Sequence, residues 1–366
     1  SGVEVQTDKM WKAAAEYGLP VFFAINLMDR DRADFPRVVE ALGKKYGREV
    51  TPLQLPIGAE SNFTGIVDLL SGKAFTWEHD ESGKATEAEV PADMADDVAA
   101  AREALMEMVA EQDEDLMEKY LEEGELDAET FAKGLKKAVV ARELFPVFAV
   151  AAAKNIGVQP IMDSLVDLAP APDWRTVQVT VDGEEQEFTA SADSPFAAYV
   201  FKSISDPFSG HITLMRVFSG GVQTDANVSN STRDSAERLS ALSIALGKDL
   251  EHVTELAPGD IGALPKLKDT HTGDTLCEAK KNIKLAPVVI PEPAISFALE
   301  AESKSDENKL ATALVKIRDE DPTISVGRDP QTKEMLISGT GQLHVEVVVG
   351  RLRKRHNVNV VLHQPK

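Results

Sequence analysis

One cysteine, Cys277, stands in the whole 366-residue sequence, so no disulfide can form within it, and its reading is that of a protein from a reducing cytoplasm. Long apolar runs are missing too. The longest, Leu144 to Ala153, is about half of the ~20 residues a membrane-spanning helix needs. The opening SGVEVQTDKM has no apolar core of the kind a signal peptide carries. The expectation is a soluble, cytoplasmic protein with no membrane partner. Positive charge is scarce: 39 Lys and Arg stand against 61 Asp and Glu, a formal charge of −22. Phosphate contacts need a basic surface, so this balance argues against a general nucleic-acid binder, DNA included. No Cys/His group has metal-ligand spacing, and no nucleophile or carboxylate pair stands out from the surface charge. No metal and no catalytic residue is therefore expected.

What is present is unevenly placed. Residues 78–130 hold 20 Asp and Glu against 3 Lys and Arg, so −17 of the charge sits there. Such a run is either a solvated face or a surface that steers a basic partner. The stretch RLRKRH, Arg351 to His356, is by contrast locally basic; Arg351, Arg353, Lys354 and Arg355 suit either RNA contact or the negative end of a helix dipole. The apolar fraction, 43%, is ordinary, and the length allows two or three domains.

The chain is organised around VFFAINLMD, Val21 to Asp29. Apolar strand-like residues run into a polar turn that offers Asn26 and Asp29 three residues apart. Side chains at the carboxyl ends of strands are what a doubly wound α/β sheet presents to a ligand. The spacing matches an N-K-x-D base-reading motif, with Leu27 in place of the lysine; N-x-x-D at a strand end also serves as a helix N-cap. Before this strand, Met10, Ala13, Ala14 and Tyr17 recur at helical spacing. After it, Val38, Val39, Leu42 and Tyr46 mark a second helix, and TPLQLPIG and FTGIVDLLSGKAFTW read as strands or a hairpin.

The acidic section predicts three helices. The first carries Val98, Ala101, Leu105, Met108 and Val109 on one stripe, and DAET caps the third. The strand FPVFAVAAA (145–153) follows, then the helix VQPIMDSLVDLAP and the linker APAPDW (169–174). From Val177 to about Lys284 short β-branched segments alternate with turns, as in a small closed barrel or sandwich; ALSIALGKDLEHV fits strand or helix. Beyond VVIPEPA (288–294) the order is strand, helix, strand, strand, helix, strand, the ferredoxin-like split βαβ pattern. Its helices should cover one face of a four-stranded antiparallel sheet, through Leu310, Leu314 and Ile317 on one and Leu343, Val347 and Leu352 on the other.

Taken together, the phrases SGVEVQT, NLMDRDRADF, QLPIGAESNFTGIVDLL, FPVFAVAAAKNIGVQP, SDPFSGHITLMRVFSG, IPEP, DEDPT and SGTGQLHVEVVVGRL resemble bacterial translation elongation factor G and its elongation factor G-like relatives. They occur in order over essentially the whole chain. The resemblance implies a multidomain architecture, α/β plus β-barrel plus α+β: residues 1–173 as the second half of a P-loop-type G domain with an acidic helical insertion at about 50–144, residues 174–287 as the translation-factor barrel, and residues 288–366 as the ferredoxin-like third domain.

It also implies GTP or GDP as the ligand of the parent protein, and the ribosome as its partner, with the acidic insertion meeting the stalk protein. Carried over by position, Asn26, Leu27, Met28 and Asp29 form one base-contacting loop and Ala151 and Ala152 the other. Two positions depart from the family: Leu27 replaces a lysine whose stem covers the base, and Ala151 replaces a serine hydroxyl. His344 matches a family Leu-His pair and is read as structural. No G-x-x-x-x-G-K-[ST] occurs, and the one D-x-x-G of interest, Asp80–Gly83, lies in a charged loop without a core strand to aim it. The chain is thus expected to be an inactive internal piece that binds no nucleotide tightly. Its parent is expected to be a translocating or recycling GTPase, or a ribosome-binding scaffold whose nucleotide site has decayed.

Overall fold

Helix α1 (Val5–Glu16) opens the first of two units into which contacts divide the chain, Ser1–Pro170 and Ala171–Lys366. The computed structural model describes residues 2–206, 210–247 and 249–366; Ser1 of the opening phrase, residues 207–209 of SDPFSGHITLMRVFSG and Lys248 lie outside the described residues. In α1 the expected face is corrected. Met10 and Tyr17 are exposed, and the inward residue is Trp11, whose ring stacks on Tyr46 at 4.5 Å and meets Phe145 edge-on at 4.7 Å. Neighbouring positions on a helix differ by about 100°, so the bulkiest ring sets the rotation.

Strand β1 (Phe23–Ile25) is shorter and more open than its sequence suggested, with Ala24 exposed. Asp34 caps α2 (Phe35–Tyr46) by accepting the Arg37 N–H at 3.0 Å, and Val38, Val39, Leu42 and Tyr46 face the core as expected. Strand β2 (Val50–Pro52) ends a three-stranded parallel sheet whose centre is β7 (Phe145–Ala149), in the order β1-β7-β2. All five residues of β7 are buried; residues 150–153, expected to continue it, instead turn away at Ala151.

Residues 50–144, expected as a helical insertion, are only half helix: β2 lies in the parallel sheet and a second, antiparallel sheet precedes the helices. Strands β3 (Gln54–Ile57), β4 (Gly65–Asp68), β5 (Lys73–Trp77) and β6 (Ala85–Ala88) form an antiparallel meander. Helices α3 (Ala95–Ala110), α4 (Glu114–Glu123) and α5 (Ala128–Ala141) follow. Asp113 and Asp127 cap the last two, Asp127 accepting the Thr130 N–H at 2.9 Å in the expected DAET turn. Val98, Leu105 and Val109 are buried, with Ala101 and Met108 at the rim of the same core. Helix α6 (Val158–Leu168) closes the unit.

The second unit starts in the expected linker, which holds a short 3₁₀ turn, Pro172–Trp174. Strands β8 (Val177–Val181) and β9 (Glu184–Phe188) form a hairpin. Long β10 (Ala197–Asp206) and β11 (Gly210–Ser219) pair antiparallel, followed by β12 (Val222–Gln223), β13 (Asn227–Asn230) and β14 (Ser235–Arg238). The stretch left between strand and helix is a hairpin of β15 (Leu242–Leu246) and β16 (Asp249–Val253). Then come β17 (Glu255–Leu256), β18 (Ile261–Pro265), β19 (Thr275–Glu278) and β20 (Ile283–Leu285). Eight strands pair in the order β14-β13-β19-β10-β11-β18-β15-β16. Val228 of β13 and Leu242 of β15, far apart in that order, share one core, so the sheet wraps round it; the pairings among the described residues do not close it into a ring.

Strand β21 (Ile295–Ala301), helix α7 (Lys304–Glu320), β22 (Ser325–Arg328), β23 (Met335–Gly339), helix α8 (Gln342–His356) and β24 (Val360–His363) give the sheet order β22-β23-β21-β24, all antiparallel, as the ferredoxin-like reading requires. Leu310, Leu314 and Ile317 face the core. On α8 the expected stripe is off by rotation. Leu343 and Val347 are 73% and 45% exposed, while Val345, Val348 and Leu352 are fully buried.

Candidate nucleotide-base site

The two loops singled out by sequence meet at the carboxyl ends of β1 and β7, which lie side by side in register Ile25↔Ala149. Backbone bonds continue the pairing past the strands: Val150 N–H donates to the Ile25 carbonyl at 3.0 Å and Met28 N–H to the Val150 carbonyl at 3.2 Å. Asn26 completes the stitch. Its Oδ1 accepts from the Leu27 N–H at 2.7 Å and from the Ala152 N–H at 3.0 Å, so one amide side chain fixes both loops.

The four residues of the first loop have distinct roles. Leu27 takes a left-handed turn, φ 64°, and points its side chain out, 50% exposed. Met28 does the opposite and anchors the loop in the core, 1% exposed. The Asp29 side chain is only 13% exposed, yet its nearest cation is Arg30 Nε at 3.9 Å, on a side chain that is itself largely in water. Among the described residues no hydrogen-bond donor lies close to this half-buried carboxylate, which leaves its acceptor capacity open.

In the second loop Ala151 is buried and exchanges both backbone bonds with Ile156, at 3.0 and 3.2 Å. Between them the chain makes a tight 3₁₀ turn, Ala152–Lys154, and Asn155 closes it in the left-handed region. Gly157 is required next: at φ +76° a Cβ there would stand 2.6 Å from the Ala149 carbonyl oxygen.

A cavity of about 280 Å³ borders Asn26, Leu27 and Met28, and is walled on its other sides by Thr7, Arg30 and Arg37. Asp29, Ala151 and Ala152 do not line it, so it is not the space the two loops enclose. The Asp80–Gly83 turn corrects an expectation: a strand with a core residue, β5 ending at the buried Trp77, does lead into it. Its aspartate is nonetheless turned inward on the loop, accepting the Ser82 N–H at 3.0 Å, a bond that holds the Asp80 carboxyl below its ordinary range. Sequence reasoning missed that this turn lies against the second loop, through Lys154 and Asn155. The only signal for it was the tryptophan three residues before the turn.

His344 sits at the start of α8 with its Nε2 3.0 Å from Asp321 Oδ2 and its Nδ1 accepting the Thr340 N–H at 3.2 Å, a structural pairing inside the third domain. Among the described residues no group of His, Cys, Asp and Glu could hold a metal ion, and no helix is long and apolar enough to cross a membrane.

Three family models match in order along the chain: the elongation factor Tu GTP binding domain over residues 1–171, elongation factor G domain 2 over 195–279, and elongation factor G domain III over 290–364. Among solved structures, one of a protein from Thermus thermophilus superposes with a TM-score of 0.84 at 30% identity, over 100% of this chain and 52% of that one. The chain thus spans about half the length of that relative. With all three of its modules matched and in the order the sequence laid out, the chain belongs to the elongation factor G type of translation factor.

Proposed function

We propose that the protein to which this chain belongs is a ribosome-associated translational GTPase, and that the Asn26–Asp29 and Ala151–Ala152 loops are the base-reading half of its guanine-nucleotide site. The observation that carries the site is Asn26: one side chain joins the ends of two adjacent parallel strands and leaves Asp29 half-buried and unsatisfied beside them. Guanine offers N1–H and N2–H side by side, and a carboxylate accepts both as a charge-assisted pair. Adenine offers no such edge. The function of the whole is movement of tRNA and mRNA through the ribosome or recycling of ribosomes, with the acidic insertion meeting the ribosomal stalk protein.

A second reading has specific support. Leu27 removes an ammonium and Ala151 a hydroxyl from the base site, which favours a ribosome-binding scaffold with a decayed nucleotide site; the intact Asn26 and Asp29 oppose it.

For this chain we infer weak nucleotide binding and no hydrolysis. Phosphates are ordinarily held by P-loop amides, a lysine and Mg²⁺, and the sequence contains no G-x-x-x-x-G-K-[ST]. The Asp29 pair contributes roughly 1.5–3 kcal/mol. Association costs at least about 4 kcal/mol, more than that pair supplies, so even with the apolar contacts of the base added the dissociation constant is expected to be no tighter than about 1 mM. Calorimetry with GDP, run beside Leu27→Lys, tests this. We expect millimolar affinity that tightens severalfold in the variant, where the lysine stem again covers the base. Low-micromolar binding by the unaltered chain would contradict it.

A further inference from the structure

The turn between β5 and β6 is gripped from three sides. Trp77, 4% exposed, donates its indole N–H to the Gly83 carbonyl at 3.1 Å. Lys154 Nζ lies 2.9 Å from Glu81 Oε1, and the Asn155 side-chain amide donates to the Glu81 carbonyl at 3.4 Å. Gly83, at φ +72°, faces that amide so closely that a Cβ would stand 2.2 Å from Asn155 Nδ2 and 2.4 Å from Gln159 Nε2. Gln159 in turn donates to Asn155 Oδ1 at 3.0 Å, and its own Oε1 is buried without a partner.

These contacts land on the second base loop. Lys154 N–H donates to the Ala151 carbonyl at 2.9 Å and Asn155 N–H to the Ala152 carbonyl at 3.0 Å. Ala152 N–H is the group that Asn26 holds. A chain of direct contacts therefore runs from the buried Trp77, through Gly83 and Asn155, to Ala152 and Asn26. Nothing in the base site itself requires it. The acidic insertion supplies a turn that presses on the loop from outside.

We propose that the Glu81–Gly83 turn is a positioning element for the base loop, coupling the acidic insertion to base recognition. Trp77, Glu81 and Gly83 are positioning residues that touch no nucleotide. The Lys154–Glu81 pair does little of this alone, because both side chains are largely exposed and such pairs are screened. The fit of Gly83 against Asn155 and Gln159, anchored by the Trp77 hydrogen bond, carries it. A side chain at Gly83 would displace the ends of both amides, breaking their grip on the turn, and at φ +72° it would strain the turn itself. The consequence for recognition rests on the guanine reading above; the coupling of turn to loop does not.

The test is amide exchange by NMR on the full chain, in Gly83→Ala and Trp77→Phe, followed by titration with millimolar GDP. Exchange at Ala152, Lys154 and Asn155 should accelerate about tenfold or more in both variants, since the loop then opens locally, while amides in α2 and α5 keep their rates. The GDP dissociation constant should rise about threefold or more, with guanine still preferred over adenine. Unchanged loop exchange in both variants overturns the coupling. Faster exchange with an unchanged dissociation constant overturns the positioning role. If the unaltered chain shows no GDP-dependent shifts at all while loop exchange still accelerates, the guanine reading falls and the coupling stands.

Discussion

Leu27 and Asn26 divide the work of one turn: the left-handed residue turns its side chain out to solvent, while its neighbour's side chain holds two loops together. Removing that acceptor should be costly. In Asn26→Ala the Ala152 N–H loses its partner at the strand ends, and a destabilisation of about 1–2 kcal/mol is expected in urea unfolding. A variant as stable as the parent would show that the two loops are not joined through Asn26. A second residue-scale expectation concerns Tyr46. Burial, reinforced by its hydrogen bond to the Asp8 carboxylate, pushes its hydroxyl up to about 12. An unfolded tyrosine titrates near 10. The folded chain thus keeps a proton that the unfolded chain gives up, and the stability this contributes is present below pH ~10 and lost as pH rises toward 12. Urea midpoints measured across that range should fall less steeply in Tyr46→Phe, and parallel slopes would show that the hydroxyl is not perturbed.

Among the elements, α8 shows how far a pattern can be read. The run VEVVV offers valines on every face, so spacing alone does not fix the rotation; burial of Val345 and Val348 does, together with the His344–Asp321 pair at the first turn. Leu352→Ala should therefore cost about 2–5 kcal/mol and Leu343→Ala less than about 0.5, read as urea unfolding free energies. Comparable losses would restore the rotation expected from sequence. The first helix of the acidic section was legible from its apolar stripe and the third from its Asp127 cap. The turns of the wrapped sheet were not. There the order of strands depends on long-range groups such as Asp274, 3% exposed, which accepts from the Asn230 amide at 2.9 Å, from Arg233 Nε at 2.7 Å and from the His271 N–H at 2.9 Å. Nothing local marks such a residue as buried. In the candidate site, spacing singled out the strand-end Asn26 and Asp29, whereas the Trp77–Gly83–Asn155 contact joins segments about 70 residues apart and has no local signature.

For the molecule as a whole, charge is the property that separates its parts. The −17 of residues 78–130 is carried on a half-sheet, half-helix insertion whose caps and surface are acidic, while α8 ends in Arg353, Lys354, Arg355 and His356. If the insertion meets the stalk protein, their binding should weaken steadily as salt rises, because exposed charges are screened beyond about 8–10 Å at physiological ionic strength. Salt-independent affinity would place the contact elsewhere. Recognition of guanine through Asp29 is the claim on which the functional account turns, and base exchange isolates it. Xanthine replaces the guanine 2-amino donor with a carbonyl acceptor, so it suits an asparagine amide and repels a carboxylate. The decisive measurement is an NMR titration of the chain and of Asp29→Asn with GDP and XDP at millimolar concentration. The unaltered chain should prefer GDP by roughly tenfold or more, and Asp29→Asn should reverse the preference. The same preference in both proteins, or none in either, would contradict it.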